Sequence, residues 1–284
     1  MMVICRWSAI CSLAILISSC NLINPQEQMP SYIQVDSVSV SAGISEGSSS
    51  SKITDLWLYS EIQVLGVFAV PSRIALLKSG INKLVFNPGI LDNGIDESRA
   101  IYPFYYPDTI TLNLEAGKVT KLPTPVFHYR AEAVFKMIED FETGNGFTKF
   151  NGDTSIHPTV GIPDVFEGNK SGEIILDSTH LNAELVTINQ FAFPGAGSSV
   201  YVEMNYRSDA DIEVGIIAIA TTGNTIDYRH TITARSSWNK IYLNFTDDIK
   251  NNPADHYQIL IRVVKPDGVA VSKTLIDNFK IVSF

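Results

Sequence analysis

Residues 198–208 read SSVYVEMNYRS, and their alternation decides the fold. Side chains on a strand alternate between two faces. Val200, Val202, Met204 and Tyr206 therefore share one face, and Tyr201, Glu203 and Asn205 the other. In IYLNF (241–245), Ile241, Leu243 and Phe245 point to a core while Tyr242 and Asn244 point away. IEVGIIAIA (212–220) is apolar on both faces, as in a strand buried from both sides. SGEIILDS, YQILIRVVK and TLIDNFKIVSF add further strands, and TTGNT and KPDGV are expected hairpin turns. No helical stripe longer than a turn or two interrupts them. Strands at this spacing predict a β-sandwich over 134–284.

Upstream the pattern is again strand and turn. SYIQVDSVSVSAG (31–43) alternates, and SEGSSSSK (45–52) is a Gly/Ser loop. ITDLWLYSEIQVLGVFAV (53–70) divides into two strands, and Pro71 belongs at a strand edge or a connection. IALLKSGINKLVFNPGI gives strand, Ser-Gly turn, strand. LDNGIDESRAIYPFYYPD (91–108) reads as a long, partly ordered loop. A closing hairpin is expected around Glu115–Lys118, with Gly117 at positive φ. The prediction is an all-β chain of two β-sandwich domains, a small one at 32–130 and a larger one at 134–284.

The first 31 residues are of another kind. Arg6 is the only charge before Glu27, and it precedes SAICSLAILIS (8–18), too short an apolar run to span a bilayer but suited to an export signal. The run ends in ISSC (17–20), which resembles the lipobox of bacterial lipoproteins. That resemblance implies cleavage before Cys20, acylation of its thiol, a signal peptide over 1–19 and a tether over 20–31. Asn21 in place of Asp points to the outer membrane, facing either the periplasm or the cell surface. The alternative is an ordinary signal peptide with a coincidental cysteine.

The totals set limits. The chain has 284 residues, 45% hydrophobic and 18% charged, with net charge −9. That is a globular composition, and with no basic run it excludes a nucleic-acid partner. All three cysteines, Cys5, Cys11 and Cys20, lie in the leader, so disulfides, Cys-based zinc sites and catalytic thiols are excluded downstream. No HExxH or GxSxG occurs, and the five histidines are scattered. The expectation is a protein that is not an enzyme.

Two family resemblances sharpen this. Trp57 to Gly89 resembles a PEGA-type, Ig-like sandwich unit through Gly66, Pro71, Gly80 and Gly89. It departs from that pattern at the hairpin, which has Ser60-Glu61 rather than Asp-Gly. The segments IEDFETGNGF (138–147), VYVEMNYRS, SSWNKIYLNF (236–245) and LIDNFKIVSF (275–284) resemble galactose-binding-like jelly-roll modules of bacterial carbohydrate-binding proteins. The whole chain looks like lipoproteins of Bacteroidetes that join such a module to an Ig-like region.

For function, the resemblance implies a glycan ligand held by an aromatic platform. The candidates are Tyr201, Tyr228, Trp238 and Tyr242, with Arg229 and Asn205 to bond hydroxyls. The competing expectation is that Trp238 plugs the sandwich edge and the tyrosines cap strands. In related jelly rolls, acidic residues where the first and last strands meet hold calcium. Asp140, Glu142 and Asp277 are the candidates for a structural calcium, against the reading of solvated or paired carboxylates. An acid/base pair for glycoside hydrolysis is disfavoured, since neighbours on one strand do not face across a cleft. IYPFYYPD (101–108) is either a docking platform or interdomain packing. The leading expectation is a lipid-anchored, glycan-binding envelope protein. The alternative is a structural or assembly lipoprotein that contacts another envelope protein.

Overall fold

The computed structural model describes residues 27–195 and 197–284. Cys20, Arg6 and the leader lie outside the described residues. Ten strands form the first sandwich: β1 Ser31–Val35, β2 Ser39–Val40, β3 Asp55–Ser60, β4 Gln63–Ala69, β5 Ser72–Leu76, β6 Gly80–Leu91, β7 Arg99–Ile101, β8 Asp108–Leu114, β9 Val119–Lys121 and β10 Val126–Phe127. A five-stranded sheet runs β4-β3-β6-β7, with β8 on the first half of β6. Sheet β5-β1-β9 faces it, and β10 pairs with β2. The alternating apolar positions meet between the sheets: Ile33, Val35, Ile74 and Leu76 join Leu56, Leu58, Leu84 and Phe86 in one core.

Eleven strands follow: β11 Val134–Glu139, β12 Phe147–Gly152, β13 His157–Val160, β14 Lys170–Leu176, β15 Asn182–Thr187, β16 Val200–Ser208, β17 Ile212–Ala220, β18 Gly223–Ile232, β19 Arg235–Asn244, β20 His256–Val264 and β21 Ser272–Ser283. One six-stranded sheet is ordered β13-β14-β21-β16-β19, with β11 on the second half of β21. The other is five-stranded, β12-β15-β20-β17-β18. From β14 onward the chain passes back and forth between the sheets, which makes this sandwich a jelly roll. Val200, Val202, Met204 and Tyr206 point into the core with Ile241, Leu243 and Phe245, as their alternation requires. A single short helix among the described residues, α1 (Thr246–Asn251), follows β19. No helix among the described residues is long and apolar enough to cross a membrane.

Three local expectations need correction. The turn at Glu115–Lys118 forms, with Gly117 at φ 76°, but β8 pairs with β6 and β9 with β1. It therefore links two sheets instead of closing a hairpin, as does KPDGV between β20 and β21. Short-range signals fix the turn, while the apolar faces choose the sheet. Residues 91–108 are no loose loop: Tyr102, Phe104 and Tyr105 are fully buried.

Candidate functional site

Each sheet of the second sandwich has an outer face, and the two differ in what covers them. On the six-stranded sheet the outward side chains include Tyr201 and Glu203 of β16, Lys240 and Tyr242 of β19, and Lys280 of β21. The first sandwich lies on them. Tyr102, Phe104, Tyr105 and Tyr129 from the first sandwich share one buried cluster with Tyr201, Tyr242 and Val282 from the second. The Tyr102 ring meets Tyr201 at 5.3 Å and Tyr242 at 4.9 Å.

At the centre of that seam lies Glu203, 0% exposed. Its Oε1 accepts hydrogen bonds from the Tyr102 hydroxyl at 2.6 Å and the Tyr129 hydroxyl at 2.8 Å. Its Oε2 faces the Lys240 ammonium at 2.9 Å, an ionic contact out of line for a hydrogen bond. Lys280 donates to the Tyr129 hydroxyl at 3.1 Å and to the Ser48 carbonyl at 2.7 Å. Burial pushes the Glu203 carboxyl up, but Lys240, Lys280 and the Tyr102 hydroxyl outweigh it and hold the group below its ordinary value. Burial lowers Lys280 to about 8, against the opposing pull of Glu203. Burial also raises the hydroxyls of Tyr102, Tyr105 and Tyr129 well above the usual tyrosine value.

This seam disposes of part of the expected platform. Tyr201 is 4% and Tyr242 2% exposed, so neither offers a ring to a ligand. Asn205 is likewise committed, its side-chain amide donating to the Ser50 hydroxyl at 2.9 Å. The parity read from the sequence is right, but the outward face is roofed by another domain. The aromatic segment 101–108 is part of that roof and no free docking platform. Trp238 lies elsewhere on β19, packed on Phe166 at 5.4 Å, with Arg207 5.8 Å from its ring. Its indole N–H meets the Pro163 carbonyl at 3.4 Å, and the ring remains half-exposed.

The three expected calcium ligands do not converge, and no metal-binding cluster occurs among the described residues. Asp140 and Glu142 lie past the end of β11, not on it. Glu142 accepts the backbone N–H groups of Asn169 and Lys170, which hold its carboxyl low. Asp140 accepts the N–H of Glu142. Asp277, raised by burial, accepts the Ser171 hydroxyl at 2.6 Å. Each carboxylate thus holds backbone or a serine of its own surroundings: Asp140 its own turn, Glu142 the segment leading into β14, and Asp277 the start of β14.

The five-stranded sheet keeps its outer face open. Val186, Ile217 and Leu260 form a small buried apolar cluster there, covered in part by Ile219 and Tyr228. This explains why β17 is apolar on both faces. Arg262 lies in register between Glu184 on one side and Glu213 on the other. Tyr228 lies in register with Gly215, where an added Cβ would come within 2.9 Å of the tyrosine ring. The glycine thus lets the ring lie against the sheet. The Tyr228 hydroxyl donates to Glu184 at 2.5 Å, the Arg262 guanidinium stacks 4.3 Å from the ring centroid, and its Nε–H reaches Glu213 at 2.5 Å. Burial, then the bond to Glu184, raises the Tyr228 hydroxyl. Ile226 and Val264, 50% and 53% exposed, extend the apolar surface at the margins.

Of the expected platform residues, only Tyr228 is in this array. Arg229 lies one residue beyond it at a β-bulge and pairs with Asp227 at 2.9 Å. Glu184, Glu213 and Arg262 were missed. The signal was available in the alternation of Gln258, Leu260 and Arg262 beside the doubly apolar β17.

No protein-family model matches the chain, and no curated protein matches it. Solved structures similar to it include the family 11 carbohydrate-binding module of the cellulosomal cellulase Lic26A-Cel5E of Clostridium thermocellum. That match has 15% identity and a TM-score of 0.38, and covers 53% of this chain and 95% of that one. A carbohydrate-binding module of the β-sandwich superfamily matches at 14% identity and TM-score 0.37, covering 90% of this chain and 99% of that one. The enzymatically active domain of the bacteriophage CBA120 tailspike protein 4 matches at 14% identity and TM-score 0.39, over 51% of this chain and 20% of that one.

Proposed function

We propose that this is a lipid-anchored, exported envelope protein without catalytic activity, and that it binds a glycan on the open face of the five-stranded sheet. One observation carries the reading: the half-exposed array of Tyr228, Arg262 and Glu213, tied together through Glu184 and flanked by the exposed Ile226 and Val264. A sugar offers both kinds of contact this face can answer. Its C–H faces pack on apolar and planar groups, and its hydroxyls bond carboxylates and a guanidinium. The four side chains already hold one another, so little rotamer freedom remains to be lost on binding.

The anchor rests on the lipobox-like ISSC and Cys20. Two or more acyl chains would tie the two sandwiches stably to a membrane, the outer membrane in this reading. The first sandwich, of the PEGA or Ig-like kind, serves as a spacer that roofs the second. The assembly-lipoprotein alternative loses the contact expected of it, because Tyr102, Phe104 and Tyr105 are buried inside the molecule.

A glycan array followed by titration calorimetry tests the binding. Tyr228→Ala and Arg262→Ala are expected to weaken binding by about ten-fold or more each, the loss of one charge-assisted or stacking contact. Trp238→Ala is expected to leave it unchanged. Equal binding by the wild type and both variants would refute the open face as the site. Metabolic acyl labelling tests the anchor: label is expected on the wild type and absent from Cys20→Ser.

A further inference from the structure

We propose that the seam between the sandwiches holds a second site, for a single sugar unit bearing a carboxylate. A cavity of 170 Å³ opens there, with room for about six waters at liquid density, the scale of one pyranose ring rather than a chain. Lys52 enters it from the segment before β3, Asn93 from the turn after β6, and Thr231 and Thr233 from the end of β18. Arg235 and Asn239 of β19 complete the wall.

Charge singles out this cavity. The chain carries a net charge of −9, yet Lys52, Arg235 and Lys240 line one small cavity, with Asp96 the one carboxylate among its lining residues. Among the described residues the ion pairs join other groups and leave Lys52 and Arg235 out. Lys52 has only the neutral Asn239 side chain, its ammonium donating to Oδ1 at 2.6 Å. Burial, then the repulsion of Arg235, weakens the hold of Lys52 on its proton, with Asp96 at the rim opposing. Asp96 offsets only part of this positive charge, and a bound anion relieves the repulsion between Lys52 and Arg235. The threonine hydroxyls and asparagine amides around them match sugar hydroxyls in both donor and acceptor character. An arginine with its fork uncommitted is suited to grip a carboxylate.

The site is separate from the open sheet face and does not require that face to bind. Calorimetric titration of the mature full chain with D-galacturonate, D-galactose and inorganic sulfate tests it. The expected result is binding of galacturonate with at least about ten-fold preference over galactose, weakened about ten-fold by Arg235→Gln and by Lys52→Met. Tyr228→Ala is expected to leave it unchanged. Arg235 is exposed, so its variant should fold, and a thermal melt verifies this. Equal affinity for the two sugars overturns the proposal, and so does binding of sulfate without galacturonate. Loss of galacturonate binding in Tyr228→Ala moves the ligand to the open face, which overturns this site while leaving the glycan reading standing.

Discussion

On the six-stranded sheet of the second sandwich, Tyr201, Glu203, Lys240 and Lys280 are sealed beneath the first sandwich. On the five-stranded sheet, Glu213, Tyr228 and Arg262 stay half-exposed, with Glu184 buried beside them. Both faces use carboxylates, cations and tyrosines. The sealed face cannot leave a charge without a partner, because desolvation costs several kcal/mol per ion. Glu203 is accordingly met by two hydroxyls and the Lys240 ammonium, with Lys280 acting on it from behind the Tyr129 hydroxyl. The open face pairs its charges too, but water and ligands reach the remaining lone pairs and N–H groups. Similar chemistry thus serves cohesion on one side of the sandwich and recognition on the other.

The sharpest way to break this comparison is to delete the central acid on each face. Glu203→Ala strands Lys240 and Lys280 in a dry seam and is expected to cost roughly 3–5 kcal/mol in denaturant unfolding. Glu213→Ala on the open face removes a half-exposed pair with Arg262 and is expected to cost less than about 1 kcal/mol. Similar costs for the two variants would mean that the first sandwich does not seal its face in solution.

The next effect separates the faces by pH. Lys280, lowered to about 8 from an ordinary 10.5, binds its proton more weakly in the folded chain than in the unfolded one. Its contribution is therefore present above 10.5 and lost as pH falls through about 8, so stability should rise with pH across that window. Tyr102, Tyr105 and Tyr129 act in the opposite sense. Burial raises them above 10, so the unfolded chain ionises first and stability falls above that pH. The expected profile climbs by roughly 2 kcal/mol from pH 8 toward 10, then turns down. Denaturation midpoints across pH for the wild type and Lys280→Met provide the check: the variant should lose the climb and keep the descent.

How much of this was legible varies with the range of the interaction. The alternation in 198–208 correctly places Val200, Val202 and Met204 in the core and Tyr201 and Glu203 outside it. Alternation is local, and the burial of alternate residues imposes it. What roofs an outer face is not local. Nothing near Glu203 in sequence announces Tyr102 or Tyr129, which reach it from 101 and 74 residues away. Residues 91–108 looked loose because Asn, Gly and Pro dominate their start, while their aromatic end was already marked as interdomain packing or a platform. Of those two, burial selects packing. Asp140, Glu142 and Asp277 drew attention as oxygen donors, but backbone N–H groups and a serine had already claimed them.

The smallest expected effect is on stability, and it bears most directly on function. If the open face exists for recognition, removing Tyr228 should disturb the fold little and binding much. The ring is half-buried and lies over Gly215, and its hydroxyl bonds one carboxylate. Tyr228→Phe removes only that hydroxyl and is expected to cost about 1 kcal/mol or less in unfolding, the net value of a single hydrogen bond. It also frees Glu184 to turn toward a ligand hydroxyl. Glycan affinity should then fall far less in Tyr228→Phe than in Tyr228→Ala, because the planar ring beneath Arg262 remains. If Phe and Ala weaken binding equally, the hydroxyl rather than the ring is the contact that matters. The open face would then act as a hydrogen-bonding surface like the sealed one, and the contrast between the two would reduce to solvent access alone.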